Sequence, residues 1–314
     1  MQRRPSSEAE GGDLYFGIVL YVATVHFKSS KWIDIQLEFL HRHISEPFRT
    51  FAILNDIAPE WNARFDTVIS AKGYHEGKLN LLAAEIGVVA RPDDIIIFVD
   101  GDAFPIADPM PTIHRALSNS SLVAVRRDEN WGDCQPHPSF CAITVAEWER
   151  LHGDWSPGRL WVNEAGKTVT DPGANLLSSL ERSHSTWTPL LRSNVWNPHR
   201  LWFGIYGDIV YHHGAGFRDP RARADREVSD VFHRGEGLPV VGPLAHSVND
   251  LLARRAVGRI VRQSRKLSED WFRRIENDPE FYRVLMVEDD RGHGGSPGST
   301  GGDGSLRPVA SGCE

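Results

Sequence analysis

The chain has 314 residues, enough for one large domain or two modest ones, and its 40% hydrophobic and 25% charged residues are ordinary for a globular protein. Its formal net charge of −7 argues against nucleic acid as a partner. The three cysteines, Cys134, Cys141 and Cys313, make no disulfide framework and fit a reducing compartment.

The amino terminus does not predict a secretory signal. Glu8, Glu10 and Asp13 precede the first apolar run, and no small-residue cleavage site follows it. No other stretch approaches the roughly 20 apolar residues of a membrane span. We therefore expect a cytoplasmic protein without a transmembrane segment, in which residues 1–13 form a loose leader.

Apolar strands and amphipathic helices alternate over the first part of the chain. The strands are predicted at 15–27, 50–56, 66–70 and 95–99. One helix, from about Lys31, separates the first two strands, and a second, around Leu82, precedes the last. This order is typical of an α/β fold with a Rossmann-like, mostly parallel central sheet flanked by helices.

The pattern loosens after residue 102. The predicted elements are a strand at 121–128, a strand passing into a helix at 140–148, a helix at 170–181, and strands at 187–192 and 207–213. We expect an α/β domain over 14–220, a helical C-terminal extension with proline breaks over 221–286, and a disordered tail over 287–314.

The run IIIFV at 95–99, followed by Asp100-Gly101-Asp102, is the strongest functional signal. A strand that is apolar on both faces belongs at the centre of a parallel sheet, and the two aspartates then lie at its carboxyl end, where open α/β sheets bind their ligands. Two carboxylates this close repel each other unless a cation neutralises them. The pattern therefore predicts a divalent metal site for Mn²⁺ or Mg²⁺.

This arrangement resembles the Asp-x-Asp metal motif of glycosyltransferases with the type-A (GT-A) fold, and in arrangement the resemblance covers about residues 14–220, the expected catalytic domain. It implies a transferase, expected to move a hexose, that uses a nucleotide-diphosphate sugar as donor. The donor is UDP-, GDP- or dTDP-linked, with the metal ion on its diphosphate. The acceptor and the stereochemistry of transfer stay open.

The stretch DIVYHHGAGFR, residues 208–218, loosely resembles the late histidine, glycine and basic residue that complete such sites. Either His212 or His213 is the implied third metal ligand. Strand alternation puts their side chains on opposite faces, so that only one of them points at the metal. Arg218, where some families have lysine, is implied to lie near the diphosphate. A structural histidine at a strand end is the alternative.

The donor half offers further candidates. Thr24 and Val25 end the first strand, where such a fold binds the base and ribose, and Asp56 follows the second strand. Lys78 opens the helix before the metal strand, within reach of a phosphate, with His75 nearby. Each of these can equally be a residue that merely ends a strand or begins a helix.

Asp171, in TDPGANLL, resembles the acidic residue that these families keep near the acceptor hydroxyl. We predict it as the acceptor-side carboxylate, either as a base or as a sugar-binding group. The alternative is an ordinary helix N-cap.

Other interpretations remain. A haloacid-dehalogenase-type phosphohydrolase would use Asp100 as its nucleophile, and a non-catalytic carbohydrate-binding protein would not need the diacid. The stretch CQPHPSFC at 134–141 lacks a second Cys/His pair for zinc. Residues 249–267 carry six basic residues, so this helix either lies on an anionic membrane or packs on the catalytic domain.

Overall fold

The computed structural model describes residues 17–130, 132–163, 166, 168–214 and 245–287. The predicted leader, Arg218, residues 221–244 and all but the first residue of the predicted tail lie outside the described residues. The domain boundaries therefore stay predictions.

The strands, in chain order, are β1 (Leu20–Phe27), β2 (Phe48–Asn55), β3 (Thr67–Ile69), β4 (Ile95–Asp100), β5 (Ala103–Pro105), β6 (Leu122–Val125), β7 (His137–Thr144), β8 (Trp161–Val162), β9 (Thr168–Val169), β10 (Thr188–Leu190), β11 (Gly204–Tyr206) and β12 (Val210–His212). The helices are α1 (Ile33–His43), α2 (His75–Val89), α3 (Met110–Leu117), α4 (Val145–Arg150), α5 (Ala174–Arg182), α6 (Ala245–Asn277) and α7 (Arg283–Met286). A 3₁₀-helix covers Pro59–Arg64.

The central sheet has seven strands in the order β10-β6-β7-β4-β1-β2-β3. Strands β3, β2, β1 and β4 are mutually parallel, β10 is parallel to β6, and β7 runs antiparallel to both β4 and β6. The predicted class, an α/β fold with a mostly parallel central sheet flanked by helices, is confirmed.

Strand β4 lies in the middle of this sheet, with β1 on one side and β7 on the other. Its side chains alternate between two cores: Ile95, Ile97 and Val99 pack into one, while Ile96 and Phe98 pack into the other. Helices cover both faces, which explains why this strand is apolar throughout. The strand therefore delivers its last residue to the carboxyl edge of the sheet with little freedom to move.

A second, three-stranded sheet has the order β11-β12-β5 and begins directly after the diacid. Strand β12 pairs antiparallel with β5, which places His212 opposite Ala103. The sequence predicted a strand at 207–213 but neither β5 nor β11. Both are three-residue strands, too short for a period-two pattern to be recognised.

The C-terminal helix α6 runs without a break over 33 residues that contain no proline, and Pro279 lies between its end and α7. The other two prolines of the predicted extension, Pro239 and Pro243, lie outside the described residues. The last turns of α6 carry Trp271 and Ile275 into a third core, which also contains Phe104 and Tyr211 of the smaller sheet. Residues 249–267 lie within α6, and contact with a membrane stays a prediction. None of the helices in the described ranges has the length and apolarity needed to cross a bilayer.

Helix α5 begins at an N-cap that only glycine fits well. Gly173 holds that position with φ of 93°, in the left-handed region, and a Cβ there would lie 2.0 Å from the carbonyl oxygen of Pro136. Asp171 is therefore not the N-cap, which removes that alternative for it. The glycine lets the start of α5 pack directly on the chain before β7.

We predict that Gly173→Ala destabilises the fold by at least about 2 kcal/mol, because alanine would have to adopt a left-handed conformation against a backbone oxygen. Gly77→Ala is the matched control: no atom lies within 4 Å of a Cβ there, and the residue is helical. The control should be neutral or stabilising by up to about 1 kcal/mol. Urea unfolding of both variants measures the difference, and equal midpoints would contradict this account.

Candidate functional site

Three potential metal ligands meet at the carboxyl end of β4. Asp100 is the last residue of the strand, Asp102 lies in the turn that follows, and β12 brings His212 beside them. One ligand atom from each residue lies within 4.8 Å of the other two. His212 Nε2 is 3.7 Å from Asp100 Oδ2 and 3.6 Å from Asp102 Oδ1.

The chemistry of this group fits a divalent cation. Asp102 and His212 are buried, and Asp100 is nearly so. Two carboxylates removed from water need an opposite charge between them, and carboxylate and imidazole donors together match the oxygen-rich sites of Mn²⁺ and Mg²⁺ or the mixed sites of transition metals. Among the described residues this is the one cluster of three or more such ligands.

His75, at the first position of α2, holds one of these carboxylates in place. Its Nε2 lies 2.8 Å from Asp100 Oδ1, on the carboxylate oxygen other than the one that faces His212. Burial raises the pKa of Asp100, but attraction to His75 and the hydrogen bond with it, together with attraction to His212, outweigh burial and leave the pKa below its ordinary value. Asp100 is therefore ionised and oriented, as a metal ligand must be.

Gln36 of α1 fixes the turn that carries the two aspartates. Its Nε2 donates to the carbonyl oxygens of Asp100 and Ala103, both at 2.8 Å. Its Oε1 accepts from Thr24 Oγ1 and from His26 Nε2, both at 3.0 Å. An amide can make four hydrogen bonds, and this buried one makes all four.

His213 follows the last residue of β12, and its side chain is bonded away from the two carboxylates. Its Nδ1 lies 3.0 Å from the hydroxyl of Tyr211 and its Nε2 lies 2.9 Å from Ser268 Oγ of α6. The ring of Trp32 packs against it at 4.6 Å between centroids. Burial lowers the pKa of His213 to about 3, so the ring is neutral. Of the two candidate histidines, the structure brings only His212 to the carboxylates.

The donor-side candidates lie along the same edge of the sheet. The hydroxyl of Thr24 is used by Gln36, and the side chain of Val25 belongs to a core. Asp56 follows β2 with φ of 53°, a strained conformation for a residue that is not glycine. Lys78 is largely buried, with its Nζ 5.5 Å from the centre of the Phe27 ring.

Lys78 and Asp56 are electrostatically linked. Burial lowers the pKa of Lys78, and attraction to Asp56 opposes that effect only in part. Glu76 also attracts the Lys78 ammonium group, so two carboxylates at the end of β2 and the start of α2 favour its charged form. The structure places both near the edge where β4 ends, and their roles in donor binding stay predictions.

Asp171 forms an ion pair rather than a helix cap. Arg127 is buried and donates one Nη2 to both Asp171 Oδ2, at 2.9 Å, and Asp133 Oδ2, at 3.1 Å. Burial acts to lower the pKa of Arg127, but the two carboxylates raise it above its ordinary value. The side chain of Asp171 keeps 37% of its surface exposed, so it is open to a ligand.

Sequence reasoning missed Gln36 and Lys31. Gln36 is a polar residue on the apolar face of α1, beside Ile33 and Leu37, and that mismatch was a usable signal. Lys31 follows β1, with its Nζ 4.5 Å from the ring centre of Phe272 in α6. Burial lowers the pKa of Lys31, and attraction to Asp102 opposes this effect. The ammonium group of Lys31 therefore interacts electrostatically with one of the three candidate metal ligands.

No protein-family model matches the chain, and no curated protein does. Solved structures do match. The mannosyltransferase PcManGT from Pyrobaculum calidifontis, in complex with GDP-Man and Mn²⁺, is 11% identical over 86% of this chain and 87% of its own, with a TM-score of 0.42. TarS 1–349 from S. aureus is 11% identical over 86% of this chain and 90% of its own, with a TM-score of 0.37.

The glycosyltransferase GlyE of Streptococcus pneumoniae matches at 16% identity and a TM-score of 0.32, over 42% of this chain and 36% of the GlyE chain. This chain thus covers little more than a third of GlyE. TM-scores below 0.5 support no inference about activity. Support for a function therefore comes from the side chains of the site.

We predict that Gln36→Leu lowers the free energy of unfolding by at least about 3 kcal/mol, because it removes four hydrogen bonds from buried or partly buried groups. Leu37→Met, at the next position of α1, conserves volume and should cost less than about 1.5 kcal/mol. Chemical denaturation compares the two. A similar small loss for both variants would mean that the amide network contributes little.

His26 predicts a pH dependence of stability. Burial lowers its pKa from 6.5 to about 4, so the folded residue stays neutral in a range where the unfolded one is protonated. Lowering the pH through this window therefore favours the unfolded chain, by about 1.4 kcal/mol per pH unit and about 3 kcal/mol in all. His26→Gln removes this term, so the variant's unfolding free energy should fall less steeply below pH 6.5. Parallel curves for the two proteins would contradict it.

Proposed function

We propose that this protein is a metal-dependent glycosyltransferase that moves a sugar, expected to be a hexose, from a nucleotide-diphosphate donor to an acceptor hydroxyl or other nucleophile. The observation that carries the proposal is the group formed by Asp100, Asp102 and His212 at the carboxyl end of the central strand. Open α/β sheets bind ligands at that edge, and a diphosphate needs a cation that such a group can hold.

In this proposal Asp100, Asp102 and His212 hold Mn²⁺ or Mg²⁺. A bound ion of this kind neutralises charge on the diphosphate and stabilises the departing nucleotide. Other side chains orient these ligands: His75 fixes the carboxylate of Asp100, and Gln36 fixes the turn between Asp100 and Asp102. Carboxylates held in this way lose little freedom when they bind.

The remaining residues divide between the donor and the acceptor. Lys78 and Arg218, with Lys31, offset negative charge on the leaving group. Asp56, which follows β2, binds a hydroxyl of the ribose or an edge of the base, and Thr24 and Val25 contribute to the same donor site from within β1. Asp171 is the acceptor-side carboxylate, held in orientation by Arg127.

The phosphohydrolase alternative is less well supported. A nucleophilic Asp100 needs an oxygen directed at phosphorus, whereas Oδ1 is bound by His75 and Oδ2 faces His212 at 3.7 Å. A non-catalytic carbohydrate-binding protein would not need Asp100, Asp102 and His212 brought together and held by hydrogen bonds from His75 and Gln36.

The test is thermal unfolding with UDP, GDP, dTDP or CDP, each with and without Mn²⁺. A nucleotide at 100 times its dissociation constant should add about 2.7 kcal/mol to the stability, and only when the metal is present. Asp102→Asn should lose this shift. Asp93→Asn, at an exposed position before the other end of β4, is the matched control and should keep it.

Two results would overturn the proposal. One is the absence of a metal-dependent shift with every nucleotide, and the other is a shift in Asp102→Asn equal to that of the unaltered protein. Metal-dependent release of p-nitrophenol from p-nitrophenyl phosphate would favour the phosphohydrolase instead.

A further inference from the structure

Gln135 is a buried amide with unused hydrogen-bonding capacity. Its side chain is 1% exposed, and neither Oε1 nor Nε2 has a hydrogen-bond partner among the groups that the structure describes. Burying an amide without partners is costly, so native proteins rarely leave both of its atoms unpaired. The contrast with Gln36, which makes all four of its bonds, points to a role for Gln135 other than support of the fold.

The position of Gln135 relates this amide to the site. It lies two residues before His137, the first residue of β7, whose ring is 5.9 Å from the ring of His212. On its other side, the Cγ of Gln135 would lie 3.5 Å from a Cβ on Gly173, two residues after Asp171. Gln135 is therefore close in space to Gly173, two residues from Asp171, and close in sequence to a ring that lies near that of His212.

The charges around Gln135 indicate the kind of ligand. Arg127 is paired with both Asp133 and Asp171, so this group of three carries a net negative charge. A phosphate would be repelled by it, whereas neutral hydroxyls can donate to the exposed carboxylate of Asp171. A carboxamide with a donor and an acceptor side by side matches two neighbouring hydroxyls, each of which both donates and accepts.

We propose that Gln135 is a hydroxyl-binding residue of a sugar-acceptor subsite, a role that rests on the proposed transferase function. Its Nε2 donates to one ring hydroxyl, its Oε1 accepts from the neighbouring one, and Asp171 binds the next hydroxyl along the ring. Because Gln135 is closed to solvent in this structure, the acceptor displaces a neighbouring group as it enters. The amide then gains the partners that the folded chain does not supply.

The experiment compares Gln135→Leu with Gln36→Leu, two substitutions of a buried amide by an apolar side chain of similar size. If Gln135 serves a ligand, Gln135→Leu leaves the melting temperature unchanged or raises it, while Gln36→Leu lowers it. Binding is measured by saturation-transfer NMR with methyl glycosides of mannose, galactose and glucose, in the presence of Mg²⁺ and nucleotide. At least one glycoside should bind the unaltered protein, and its affinity should fall about tenfold or more in Gln135→Leu.

Three results would overturn this proposal: a melting temperature lowered in Gln135→Leu as in Gln36→Leu, equal glycoside binding in both proteins, or no glycoside binding to the unaltered protein. The thermal shift with nucleotide and Mn²⁺, measured on the unaltered protein, reports on the donor site separately. A retained nucleotide shift without glycoside binding would reject the subsite alone, whereas loss of the nucleotide shift would reject the proposed function itself.

Discussion

The site depends on one buried side-chain amide. Gln36 joins three parts of the fold that are distant in sequence: the end of β1 through Thr24 and His26, the end of β4 through the carbonyl of Asp100, and the start of β5 through the carbonyl of Ala103. Because every hydrogen-bonding position of the amide is filled, the turn that carries the two carboxylates has one favoured geometry. A buried polar network fixes a single conformation when all its groups are hydrogen-bonded, and a partly satisfied network does not.

Around this turn, neighbouring residues have separate tasks. His212 faces the carboxylates, while His213, one residue on, is neutral and bonded between Tyr211 and Ser268 of the C-terminal helix. The strand that supplies a ligand is thus fixed by a partner from the far end of the chain. His75 does the same for Asp100 from the start of α2. The candidate ligands are thus held in position by hydrogen bonds from residues that are distant in the sequence.

Much of this was predictable where a long periodic pattern was present. The apolar run at 95–99 and the diacid after it defined the central strand and its functional edge, because burial on both faces leaves a strong signal. The short strand β5 was not predictable, since its pairing partner is more than a hundred positions away. Gln36 could have been noticed as a polar residue on the apolar face of α1, whereas Gln135 lies outside any periodic segment. The sequence does not tell which of the two amides has its hydrogen bonds satisfied, because that depends on tertiary packing.

The pairing of β12 with β5 has a consequence for how the site comes into being. Asp102 and His212 are 110 positions apart in the chain, and they meet only when the small sheet forms. No local segment contains the site, and the entropy of closing so long a loop has to be offset before the third ligand arrives. The unfolded chain therefore has no preformed site in which these three side chains could bind a cation together. If the proposed cation binds there, it would act as a removable cross-link between the turn after β4 and strand β12, and its binding would stabilise the folded chain.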